Sequence, residues 1–74
     1  MNKKQGGGGM VPSRLVQARQ KAAMTQAQVA QALMIPQQQY SRYENGKNEI
    51  PIRYVVALCR LYGVSADWLL GLTE

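Results

Sequence analysis

A chain of 74 residues makes one small domain, and a domain of that size buries only about 60% of the surface its unfolded chain exposes, so its core must be economical. Nine Lys plus Arg against four Asp plus Glu leave a net charge of +5, which favours a polyanionic partner, although on charge alone an ordinary basic protein stands level with that reading. No His and one Cys exclude His-based metal or acid–base sites and an internal disulfide; with no apolar run long enough for a bilayer or a signal core, a reducing, cytoplasmic home is expected.

Residues 1–9 combine polar side chains with Gly6 to Gly9 and have almost nothing to bury. The expected organisation is a flexible Gly-rich tail over 1–9 and one domain over 10–74. A solvated tail is the plainer reading of that segment, and a basic arm carrying Lys3 and Lys4 is the alternative. Pro12 and Ser13 suit a helix start, and Leu15, Ala18 and Ala22 recur at the spacing of one buried helical face. A first helix is predicted from about Ser13 to Ala23.

Thr25 followed three residues later by Gln28 makes a capping box, with Val29, Ala30 and Leu33 as the inward face of a second helix two to three turns long. Pro36 disfavours helical geometry at Ile35 yet suits a first turn, so the chain must stop and restart there. The third helix should run from about Gln37 to Asn45. Ile35 and Tyr40 have the spacing of a hydrophobic staple, and Gly46 suits a left-handed residue just past the end.

Pro51 opens a fourth helix whose inward face is Ile52, Val55, Leu58, Cys59 and Tyr62, closed by Gly63. Cys59 at such a position reads as a small hydrophobe rather than a reactive thiol. Ser65 caps a last short helix, Val64 and Leu69 can staple it, and Trp68, Leu69 and Leu70 return bulk to the core. The fold class is all-α, with five helices and short connections.

At about 100° per residue, Tyr40, Tyr43 and Glu44 share one side of the third helix, while Gln37, Gln38, Ser41, Arg42 and Asn45 share the other. Gln39 sits at the edge between them. A polar helix face is usually just solvated, but this one carries long neutral amides and one Arg, without a carboxylate to repel phosphates. Those side chains suit a DNA major groove, since Gln can pair with adenine and Arg with guanine. Gln37 and Gln38 stand at the helix start, where a recognition helix first meets base edges. No catalytic constellation accompanies them, so an enzyme is not expected, and neither a cofactor nor a metal is implied.

The segments RLVQARQ, MTQAQVAQAL, QYSRYENGK and YGVSADWLLG resemble the Cro/repressor type of helix-turn-helix proteins, the phage repressor and xenobiotic-response-element family, from about Arg14 to Gly71. The resemblance implies a compact five-helix, lambda-repressor-like bundle with the helix-turn-helix formed by helices 2 and 3. It implies that Gln26 grips a DNA phosphate, that Gln37 and Gln38 read bases with Arg42 as a further groove-facing residue, and that Arg19 and Glu44 form a structural ion pair. Asn45 and Lys47 would hold the DNA backbone, partly through N–H groups that Gly46 leaves accessible. Gln39, Ser41 and Arg53 are additional candidates for DNA contact.

Three residues depart from the family pattern: Met34 where glycine is usual, Pro36 in place of a Ser or Thr cap, and Tyr40 in place of a smaller aliphatic residue. The function so implied is a sequence-specific double-stranded DNA-binding transcriptional regulator, a repressor in the leading reading. It would act as a homodimer joined through the end of the fifth helix. An antitoxin-like or adaptor module that uses the same fold to hold another protein is the alternative.

Overall fold

The computed structural model describes residues 10–73, so the expected tail over 1–9 lies outside the described residues. Within them the chain forms five helices and no strand: α1 Met10–Lys21, α2 Gln26–Leu33, α3 Gln37–Glu44, α4 Ile52–Tyr62 and α5 Ala66–Leu69. Helix α3 packs against α1 and α2, and α5 closes the bundle against α1 and α4.

Each helix end is made by local chemistry. The Thr25 hydroxyl accepts from the Gln28 N–H at 3.1 Å while Gln28 Oε1 accepts from the Thr25 N–H at 2.9 Å, a reciprocal capping box. The Ser65 hydroxyl accepts from the Trp68 N–H at 3.1 Å to start α5. Pro36 and Pro51 open α3 and α4 with extended backbone and no side-chain cap, as a residue without an N–H can do.

The end of α2 confirms a backbone feature that the sequence only hints at. Met34 lies at φ 60, and the Ile35 N–H reaches back to Ala30 O at 3.0 Å while the Met34 N–H reaches Gln31 O at 3.0 Å. This paired closure needs a left-handed residue, which glycine adopts freely and a methionine adopts at a cost of about 1–2 kcal/mol. The same closure ends α1 around Ala23 at φ 57, a position whose conformation nothing in the sequence signals. Gly46, at φ 74, closes α3 in the expected way.

Two boundaries and one face differ from the sequence expectation. Helix α1 already includes Met10 and ends at Lys21, which puts Ser13 inside the helix and Ala22 in the turn beyond it. The reason is that Pro12 is tolerated in a first turn and Val11 packs on the core, so the helix gains burial by starting before the Pro-Ser pair. Ile52 was expected inward but is 67% exposed: it stands at the first position of α4, where the helix extends past the edge of the core.

The core draws on every helix: Leu15 and Ala18 from α1, Val29 and Ala30 from α2, Tyr40 and Tyr43 from α3, Val55 and Leu58 from α4, and Leu69 from α5. Each fully buried Leu or Val stabilises the fold by about 1.5–3 kcal/mol through transfer from water. A charged residue is buried among them. Arg14 places its guanidinium 4.9 Å from the Trp68 ring centroid and donates to Trp68 O and, at 2.7 Å, to Thr73 O. It thereby adds a side-chain donor to carbonyls in and beyond α5, and ties the first helix to the last.

Candidate nucleic-acid interface

The position of α3 is set by what its inward side chains hold. Tyr40 is fully buried, and its hydroxyl lies 2.7 Å from that of Tyr62 on α4. Arg19 Nε donates to Glu44 Oε2 at 2.7 Å and Arg19 Nη2 to Glu44 Oε1 at 3.2 Å, a two-pronged ion pair between α1 and α3. Gln26 Nε2 donates to Glu44 Oε1 at 2.9 Å, which brings α2 into the same cluster. One carboxylate thus links the three helices that make the helix-turn-helix and its support.

The electrostatics follow from burial opposed by these bonds. Burial pushes the Glu44 carboxyl up, but hydrogen bonds from Arg19, then Tyr40 and Gln26, outweigh it, and the net shift is below the usual carboxylate range. Burial raises Tyr40, and the contacts with Tyr62 and Glu44 add to the rise. Tyr62, raised chiefly by burial, is pushed up to about 12. Burial also raises the Cys59 thiol, in keeping with a half-buried side chain that serves as packing.

The outward residues stand apart from this network. Gln37, Gln38 and Arg42 are exposed on α3, and Asn45 and Lys47 are exposed in the turn that follows. Ser41 is half-buried. Gln39, also half-buried, donates through Nε2 to the Tyr43 hydroxyl at 2.9 Å, so it props the helix rather than standing free at its edge. Gln26, the candidate phosphate grip, is half-buried with part of its amide engaged by Glu44. Only its remaining amide hydrogen and its oxygen are left for a ligand. Arg53 is exposed with its guanidinium 4.7 Å from the Tyr54 ring centroid; Tyr54 in turn packs 6.1 Å from the Tyr43 ring, on the α3 side of the bundle.

One expectation about the turn needs correction. The N–H groups of Asn45, Gly46, Lys47 and Asn48 point back to Ser41 O, Tyr43 O, Arg42 O and Arg42 O at 3.0, 3.4, 3.0 and 3.4 Å. They complete the end of α3 and are not left accessible by Gly46. The side chains of Asn45 and Lys47, by contrast, remain exposed in this turn.

In front of α3 lies an open concavity of about 530 Å³ whose lining includes Gln38, Arg42, Asn48 and Glu49. Asn48 and Glu49 were not singled out from the sequence. They lie outside any helical repeat, and only the fold brings them beside the outward face of α3. No group of metal-ligating side chains occurs among the described residues, and no helix there is long and apolar enough to cross a membrane.

Comparison with known proteins agrees with this architecture. A family model described as helix-turn-helix matches residues 15–69. The uncharacterized HTH-type transcriptional regulator YobD of Bacillus subtilis (strain 168) is 38% identical over 65 residues, covering 88% of this chain and 58% of that protein. The HTH-type transcriptional regulator ImmR of the same organism is 41% identical over 61 residues, covering 82% of this chain and 48% of the relative. The chain therefore spans about half the length of the curated relatives it matches. With helices α2 and α3 joined by a tight turn, and with relatives that are transcriptional regulators rather than enzymes, the chain belongs to the Cro/repressor-type helix-turn-helix family of DNA-binding regulators.

Proposed function

We propose that this chain reads specific double-stranded DNA with α3 in the major groove and represses transcription by occupying an operator and excluding polymerase. One observation carries the reading: Gln37, Gln38 and Arg42 are exposed on one side of α3 while Tyr40, Tyr43 and Glu44 anchor the other. Gln matches the N6 and N7 pattern of adenine and Arg the O6 and N7 pattern of guanine. Gln26, Asn45 and Lys47 hold phosphates, with Arg53, Gln39 and Ser41 beside them, and these contacts orient the protein without reading sequence.

The partner is double-stranded DNA, and the protein acts in the cytoplasm. A second copy joins through the end of α5, where Leu72 is 71% exposed and Met10, packed on Gly71, is 52% exposed. The two recognition helices then meet half-sites about 34 Å apart. No cofactor enters the reading, because side-chain hydrogen bonds suffice for it. Selection of bound sequences from a random duplex pool tests the proposal. A two-fold symmetric enriched site is the expected result. A pool that emerges without enrichment would sink base reading, and an enriched site without symmetry would remove the homodimer. A promoter carrying the enriched site should be silenced by the protein, and stimulation would reverse the regulatory sign.

A further inference from the structure

Read alone, the outward face of α3 carries no carboxylate, yet the fold brings one beside it. Glu49 is exposed and shares the concavity with Gln38, Arg42 and Asn48. Its charge differs in kind from that of Glu44, which is buried and neutralised by Arg19. Among the described residues Glu49 has no ion-pair partner, and in the chain it falls between Lys47 and Arg53, both exposed cations. A negative charge at this spot works against affinity for any duplex.

We propose that Glu49 is a specificity-determining residue that acts by repulsion, an inference that rests on the DNA-reading function given above. A chain with a net charge of +5 binds phosphates of any sequence, and that electrostatic contribution makes up nearly all non-specific binding. Arg42 is the weak point, because a guanidinium pairs with a phosphate as readily as with a guanine edge. In a misplaced register a backbone phosphate enters the concavity and meets Arg42. Glu49, which lines the same concavity, makes that complex costly. In the matched register base edges occupy the space, and the phosphates stay at the rim with Gln26, Asn45 and Lys47. The penalty therefore falls on the wrong complexes more than on the right one, which is how a repulsive element creates discrimination.

A unit charge opposing a nearby phosphate across water changes affinity roughly three- to tenfold at moderate salt. The test measures fluorescence anisotropy of the full chain and its Glu49→Gln variant on the duplex enriched from the random pool and on a scrambled duplex, at about 50 to 200 mM salt. Matching thermal unfolding midpoints check that both proteins are folded, as expected for an exposed side chain. The variant should bind the scrambled duplex roughly three- to tenfold more tightly and gain less on the enriched one, so that the ratio between them falls. An unchanged ratio overturns the proposal. So does a loss of affinity confined to one C·G position, which would make Glu49 a reader of the cytosine N4 amino group. If the wild-type chain binds both duplexes weakly and without salt dependence, the DNA-reading function fails, and this inference with it. That outcome differs visibly from a steep salt dependence that the variant merely reproduces.

Discussion

Helix α3 presents two sides made of comparable polar groups that do opposite work. On the inward side Glu44, Tyr40 and Tyr43 are buried, and each meets a partner: Arg19 and Gln26, Tyr62, and Gln39. On the outward side Gln37, Gln38 and Arg42 are exposed, with no side-chain hydrogen bond to another described residue. A buried polar group must be satisfied within the protein, whereas an exposed one remains available to a ligand. Substitutions on the two sides should therefore separate stability from binding.

The sharpest break is Glu44→Gln, which leaves the Arg19 guanidinium without its counter-charge and should cost about 3–5 kcal/mol in unfolding free energy by urea titration. Acid should act in the same direction. The folded pKa of Glu44 is depressed, so its stabilising contribution is present above the ordinary value of 4.5 and is lost as pH falls through the lower folded value. An acid limb that survives unchanged in Glu44→Gln would refute this assignment. Next in size, Arg42→Ala should relax preference at one base pair by about 1–3 kcal/mol while the unfolding midpoint stays put. A parallel loss of stability would erase the distinction between the two sides.

Smaller effects refine the inward side. Tyr62→Phe takes from the Tyr40 hydroxyl one of its two partners, leaving Glu44, and should destabilise by about 1 kcal/mol. Because the Tyr62 pKa is raised to about 12, its contribution is whole below the ordinary value of 10.0 and fades as pH climbs through 12. Unfolding midpoints measured on the alkaline side should show that limb in the wild type and lose part of it in the variant. The smallest change is a gain: Met34→Gly relieves the left-handed backbone and should stabilise by about 1 kcal/mol. A midpoint that falls instead would mean that the extra freedom of the unfolded glycine outweighs the relieved strain.

The contrast between near and distant chemistry also explains what the sequence revealed. Thr25 with Gln28, Pro36, Gly46, Pro51, Gly63 and Ser65 act on backbone groups within a few residues, so the starts of α2 to α5 and the ends of α3 and α4 were legible to within a residue or so. The start of α1 was not, because Ser13 has the chemistry of a cap but burial of Val11 favours an earlier start. Residues paired across long sequence separations were legible only where the family resemblance supplied them, as for Arg19 and Glu44. The Tyr40–Tyr62 contact joins residues 22 positions apart, and the Gln26–Glu44 bond spans 18. No periodicity encodes such distances. The concavity with Asn48 and Glu49 was invisible for the same reason, since it exists only once the turn after α3 is folded beside the helix.

The packing of Met10 onto Gly71 gives the domain a further property. A Cβ built at Gly71 would sit 2.7 Å from Met10 Cγ, so the backbone of the last turn runs directly against the side chain that begins α1. The start of the first helix and the turn after the last thus lie side by side, with the Arg14 clamp joining the same two helices. Linking residue 73 to residue 10 through a few glycines, and opening the chain instead at the exposed Gly63 between α4 and α5, should preserve the bundle in permuted order. Helix α3 would keep its place while the two ends moved to another connection.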